Sequence, residues 1–297
     1  MKRIILLFIL GGIWCLSAQK KTTYTYAVKG DDTLKLDVYA PRKIKKSKKL
    51  PVQLWMHGGG FSAGSRDNKN IEEFCKYASN NGYVGISISY RLLRKGAENG
   101  FGCNCSKHEK QETFKQAVID YLDATKFIVE HAEELQIDTT KIIAGGSSAG
   151  AETVLNAVFM RNYFVDELED YSHLKFAGVF SCAGGVVDAS YLTKDNAVPS
   201  VLFHGTNDKL VPFDNAPHHY CEPTRDGYIF MDGSNVIAKK LDELETAFYF
   251  NIVKEGGHEV AGIPFSELDE VFKFFERTVL NNNIVQTKII QTKRNSP

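Results

Sequence analysis

The chain has no net charge with which to hold a polyanion: 36 lysines and arginines are balanced by 36 aspartates and glutamates over 297 residues. That balance argues against nucleic acid or an anionic membrane surface as a partner. Long apolar runs are also missing. The longest, residues 4–16, falls short of the roughly 20 apolar residues a spanning helix needs, so no stable membrane span is expected. Neither a low-complexity linker nor an internal repeat is present, which leaves one domain with enough apolar material, 43% of residues, to bury a core. Cysteine is sparse. Cys103-Asn104-Cys105, followed by His108, resembles half of a metal site, but no second pair stands at zinc-ligand spacing, so no metal or other cofactor is expected.

At the N-terminus, Lys2 and Arg3 precede the apolar stretch 4–16 and then Ser17-Ala18-Gln19. This charged, apolar, small-residue order is that of a secretory leader spanning residues 1–18, with cleavage expected after Ala18 and a secreted or periplasmic destination. Trp14 before Cys15 does not suit a lipid-modified cysteine. The mature chain would carry 34 cations against 36 acids and keep Cys75, Cys103, Cys105, Cys182 and Cys221. Export permits disulfides. Cys103 and Cys105 in a polar loop are the better candidates, and a bridge from Cys221 to either would tie two loops together. Cys182, inside the apolar run 178–183, reads as a buried thiol.

Residues 22–28 and 34–39 alternate in polarity around Gly30-Asp31-Asp32, the pattern of a hairpin. The lysine-rich stretch 42–49 reads as a solvated connection. Buried strands are expected at 52–56, 82–89, 177–181, 199–203 and 247–253, and helices at 67–80, 114–132, 236–245 and 265–280. Two irregular stretches interrupt this series, residues 93–111 and 214–231. A polar tail, 286–297, closes the chain.

Residues 141–152 organise the rest: an apolar run breaks into Gly146-Ser147-Ser148-Ala149-Gly150 and resumes with helical spacing. The glycines two residues either side of Ser148 permit a tight strand-to-helix turn that lifts the serine out as a candidate nucleophile. After the strand at 52–56 comes His57-Gly58-Gly59-Gly60. Three glycines in succession lose much backbone entropy on folding, and unhindered backbone N–H groups aimed at an oxyanion supply a reason for them.

With these two motifs in order, the chain resembles the α/β hydrolases of the esterase/lipase group, including hormone-sensitive-lipase-like carboxylesterases and secreted feruloyl- and acetyl-esterase-like enzymes. The resemblance implies a mostly parallel central sheet of about eight strands with helices on both faces, occupying residues 19–285 with insertions near 93–111 and 214–231. It places Gly59, Gly60 and Ala149 in an oxyanion hole and gives His57 a bracing role. Tyr90-Arg91-Leu92 matches the end of the following strand in these enzymes, and Arg91 is expected to pair with Asp120. His204-Gly205-Thr206-Asn207-Asp208 followed by Val211-Pro212 is similar to the segment that carries their acid, so Asp208 takes that role. Gly256-Gly257-His258-Glu259 follows the last strand, where the fold places its base, and His258 is the only histidine in that setting. The order Ser148, Asp208, His258 is that of α/β hydrolases. Departures from the pattern are Ser147, Ala151 and a missing A-P-E after Leu92.

The implied activity is hydrolysis of carboxylic esters, small or carbohydrate-linked, through a Ser-His-Asp triad and an acyl-enzyme. A prolyl-oligopeptidase-like peptidase usually carries a propeller upstream, whereas 33 residues separate Ala18 from Val52. An acetyl or feruloyl carbohydrate esterase is a narrower case of the same reading. A silent binding protein would be expected to have lost a member of the triad.

Overall fold

The computed structural model describes residues 20–41 and 48–292. The leader and its cleavage site lie outside them, as does most of the lysine-rich connection.

Strands β1 (Lys20–Lys29) and β2 (Asp32–Ala40) form the expected hairpin, antiparallel throughout with a bulge between Thr25 and Ala27. Strand β3 (Leu50–Met56) leads through the glycine loop to helix α1 (Lys69–Asn80), whose Asn68 side chain accepts from the Asn70 N–H and so satisfies one free donor of the first turn. Strand β4 (Val84–Ile88) and helix α2 (Lys107–Glu130) follow. The irregular stretch expected to reach residue 111 ends earlier. Ser106 and Glu109 form a reciprocal capping box that starts α2 at Lys107.

A short helix α3 (Ala132–Leu135) precedes strand β5 (Ile137–Ser147), which turns at Ser148 directly into α4 (Ala149–Phe159). Then come α5 (Arg161–Phe164), β6 (Gly178–Cys182), β7 (Gly185–Val186) and β8 (Ser200–Gly205). The second irregular stretch contains β9 (Asn215–Pro217) and β10 (Phe230–Gly233); β10 lies between β7 and β9 and pairs with each in a small antiparallel sheet. Helix α6 (Ser234–Glu243), β11 (Phe248–Lys254), α7 (Leu268–Phe275) and β12 (Gln286–Thr292) complete the order.

The main sheet runs β1-β2-β4-β3-β5-β6-β8-β11-β12. Pairs from β4 to β12 are parallel, while β1–β2 and β2–β4 are antiparallel. Its inner strands are buried almost end to end because helices cover both faces. One apolar cluster joins Leu54 and Ala144 of the sheet to Val118 and Tyr121 of α2 and Leu155 of α4. The other packs Trp55 and Phe180 against Phe74 of α1 and Phe275 of α7. The ninth strand corrects the expectation of a polar tail. Residues 286–292 alternate between exposed and half-buried, and β12 joins the edge through a full parallel register with β11. Among the described residues no helix is long and apolar enough to cross a membrane.

Candidate active site

Parallel strands expose the ends of their carbonyl termini on one side of the sheet, and turns leaving β5, β8 and β11 meet there. At the first, Ser148 adopts φ 50°, ψ −124°, a conformation that β5 and α4 impose from either end. A Cβ at Gly146 would come within 2.5 Å of the Gly150 backbone, and one at Gly150 within 2.3 Å of the Met56 carbonyl oxygen. No side chain fits at either position, and Ser148 is left facing the cavity.

Ser148 Oγ lies 2.7 Å from His258 Nε2, and His258 Nδ1 lies 2.8 Å from Asp208 Oδ2. A carboxylate only accepts, so Nδ1 carries the ring proton and Nε2 is free to accept from the serine hydroxyl. Asp208 is fully buried and is held on its other oxygen by the N–H groups of Leu210 and Val211. Burial acts to raise its pKa, but hydrogen bonds from His204 and His258 and their positive character carry it well below the usual carboxylate range. Burial likewise acts to lower the pKa of His258. The hydrogen bond and charge of Asp208, with Glu152 and Glu259 further off, outweigh it and raise the ring above its ordinary value.

The glycine loop after β3 curls over the same spot. Gly59 and Gly60 have φ of 115° and 58°, and a Cβ at Gly59 would lie 2.1 Å from the Ala63 carbonyl oxygen. Gly58, Gly59, Gly60 and Ala149 line the cavity with Ser148. His57 stays outside the relay: its Nδ1 is 2.7 Å from the Gly58 carbonyl oxygen, its ring packs on Tyr90, and burial lowers its pKa. Tyr90 in turn donates to the His57 carbonyl oxygen. Arg91 grips Asp120 as expected, with Nη2 at 2.7 Å and Nε at 3.0 Å.

A cavity of ≈ 590 Å³ opens beside Ser148. Ile71, Phe101, Leu210, Val211 and Ile263 give it apolar walls, and Ser65, Asn68 and Asn70 also line it. Phe101 and His219 reach it from the two irregular stretches, which a Cys103–Cys221 disulfide joins. Cys105, expected as a bridge partner, is instead a buried thiol, as is Cys182. His218 is buried against Glu152 and Lys110. Among the described residues no group of three or more His, Cys, Asp or Glu side chains is placed to hold a metal ion.

The motifs marked Ser147 only as a departure from the pattern and did not single out Glu152 or Lys110. The Ser147 hydroxyl accepts from the Gly58 N–H at 3.2 Å, which pins the glycine loop to the serine turn. Glu152 had a legible signal: four residues beyond Ser148 on a helix is the same face. Lys110 had none, because a lysine in a polar loop ordinarily reads as solvated.

A parallel sheet with an antiparallel margin and helices on both faces, turning at a glycine-flanked serine after its central strand, defines an α/β hydrolase of the esterase/lipase type. The BD-FAE family model matches residues 36–190, over half of the chain. The chain belongs to that family. Gut esterase 1 of Caenorhabditis elegans is 32% identical over 125 residues, which are 42% of this chain and 20% of that esterase. A secreted lipase of Arthroderma benhamiae is 30% identical over 154 residues, 46% of this chain and 28% of the lipase. The chain thus spans less than a third of the length of these two relatives. Among solved structures, Thermogutta terrifontis esterase 2 phosphoramylated by tabun superposes with a TM-score of 0.64 at 17% identity, covering 90% of this chain and 97% of that one. Its propionate-bound form gives 0.61 at 17% identity, covering 91% and 97%. At that identity the likeness concerns the fold.

Proposed function

We propose that the chain is a serine hydrolase that cleaves carboxylic esters through Ser148, His258 and Asp208. The observation that carries this reading is the continuous relay from Ser148 Oγ through His258 to Asp208, at 2.7 and 2.8 Å. As Ser148 Oγ attacks the ester carbonyl, its proton passes to His258 Nε2, and Asp208 stabilises the charged ring. The oxyanion is met by the N–H groups of Gly59, Gly60 and Ala149, each such donor typically worth ~3 kcal/mol in the transition state. The tetrahedral adduct collapses, the alcohol leaves with the proton from His258, and an acyl group remains on Ser148. Water, deprotonated by the same histidine, then releases the acid.

The Thermogutta terrifontis esterase 2 structures support the reading, since that esterase is phosphorylated by paraoxon and is seen bound to propionate or butyrate. A narrower reading, an acetyl or feruloyl ester attached to a carbohydrate, has polar residues Ser65, Asn68 and Asn70 in the cavity lining to meet it. On the same reading the protein is exported, with a leader ending at Ala18. Fluorophosphonate labelling of the extracytoplasmic fraction, together with turnover of 4-nitrophenyl butyrate, tests site and export at once. Ser148→Ala is expected to abolish labelling and lower kcat by about 10⁶-fold. Full turnover by that variant would overturn the mechanism.

A further inference from the structure

His219 lines the cavity from a backbone in the left-handed region, with φ 57° and ψ 17°, and Tyr220 follows at φ 51°. Such backbone is uncommon at one non-glycine residue and costs more at two in succession, so surrounding contacts must hold it. Two ties do so. The His219 N–H donates to the Leu210 carbonyl oxygen at 2.9 Å, and Cys221, two residues on, is bridged to Cys103. Leu210 in turn donates its own N–H to Asp208 at 2.8 Å. Asp208 and the His219 backbone are thus joined through a single residue. The His219 ring packs on that of His218, with centroids 4.3 Å apart.

Unlike the buried His218, His219 is half-buried. Its ring nitrogens take no hydrogen bond from the described residues, and neither is sealed from solvent. His219 therefore brings a free hydrogen-bonding edge to a cavity whose walls at Phe101, Leu210 and Val211 are carbon. Burial lowers its pKa to about 3, and His218, Lys110 and His258 act in the same direction; Asp208, already bonded to His258, opposes them and is outweighed. The imidazole is accordingly neutral across the pH range in which His258 can act as a base, with one nitrogen carrying a proton. The same surroundings decide what this edge prefers to meet. Groups that oppose a positive charge favour an electron-rich atom, which an oxygen supplies and an ammonium does not. An alkyl arm strips water from the ring N–H and leaves it unpaired.

We propose that His219 is a specificity-determining residue that donates a hydrogen bond to a hydroxyl or ether oxygen on one arm of the ester, and so selects oxygen-bearing arms over alkyl and ammonium ones. This rests on the ester-hydrolase reading above. Six-membered rings isolate the effect, because exchanging one ring CH2 for oxygen or for NH2⁺ barely alters size and shape. Each arm is tested as tetrahydropyran, cyclohexane and protonated piperidine: the 4-nitrophenyl ring-4-carboxylates vary the acyl group, and the ring-4-yl acetates vary the alcohol. The alkaline hydrolysis rate of each ester corrects for its intrinsic reactivity.

On one of the two sides, wild type is expected to favour the tetrahydropyran over the cyclohexane by about tenfold in corrected kcat/KM, with the piperidine the poorest of the three. Glycine adopts φ 57° without strain, so His219→Gly removes the ring and spares the fold. It is expected to bring the ratio of tetrahydropyran to cyclohexane to about one, chiefly by raising KM for the tetrahydropyran. Asparagine tolerates the same backbone and keeps an N–H donor. His219→Asn is therefore expected to retain part of the preference, which a merely structural role would not produce. A folding defect would lower all three esters alike and reduce fluorophosphonate labelling. Should His219→Gly fail to fold, the wild-type ratios and those of His219→Asn decide the matter. Wild-type turnover with no preference for the oxygen on either side, or a preference that survives in His219→Gly, overturns the role of His219 while leaving the hydrolase intact. If wild type cleaves no ester at all, the underlying reading fails, and the role of His219 with it.

Discussion

Asp208 fixes both the direction and the acidity of His258. Its carboxylate leaves Nδ1 protonated and Nε2 open, and its charge raises the pKa of a ring that burial alone would lower. On the proposed mechanism only neutral imidazole can take the proton from Ser148, so activity is expected to be lost as pH falls through that raised pKa. The ascending limb of kcat/KM should therefore lie above the reference value of about 6.5. Asp208→Asn removes the raising interactions and leaves the burial. It is expected to move the limb to lower pH and to cut kcat by about 10⁴-fold. Steady-state rates on a nitrophenyl ester from pH 5 to pH 9 check both, and a limb that stays in place would show that Asp208 does not set it.

At the scale of elements, the two irregular stretches behave as one unit. Besides the disulfide, the Lys107 N–H donates to the Asp226 carbonyl oxygen and the Gly227 N–H to that of Cys103. A Cβ at Gly227 would lie 2.5 Å from the Cys105 carbonyl oxygen, so the contact is close enough to require glycine. The unit carries Phe101, His218 and His219 to the cavity, whereas the relay rests on turns from β5, β8 and β11. Cys103→Ser should therefore separate binding from chemistry. Opening a loop of 118 residues is expected to cost roughly 2–5 kcal/mol in stability. KM should rise more than kcat falls. Thermal unfolding and Michaelis kinetics read the two effects, and an unchanged KM would mean that the α4 side of the cavity keeps its shape without the bridge.

Across the whole molecule, the sequence was most legible where backbone and chemistry demand the same residue. Gly146 and Gly150 are required sterically and frame the serine; Asp208 and His258 each follow a run of buried strand residues. The register of β12 could not be read this way, because an edge strand such as Gln286–Thr292 is held by backbone hydrogen bonds to β11 and leaves its side chains free to be polar. The start of α2 was readable from the Ser106 and Glu109 pair, but the neighbouring glycines and cysteines masked it. Burial of His218 against Glu152 and Lys110 depends on three segments far apart in the chain, and no local pattern encodes it.

The backbone at Ser148 has a further consequence. A non-glycine residue at φ 50°, ψ −124° is strained by on the order of 1–3 kcal/mol, against a total stability that in most domains is about 5–15 kcal/mol. Ser148→Gly should therefore unfold at a higher temperature than the wild type, by an amount equivalent to about 1 kcal/mol, while turning over nothing. Calorimetry of the two proteins measures the difference, and equal or lower stability of the glycine variant would show that the turn is not strained. If Ser148 is the proposed nucleophile, stability pulls position 148 toward glycine and turnover is what holds the serine in place. A lineage released from the need for this reaction would be expected to lose the hydroxyl long before it lost the turn.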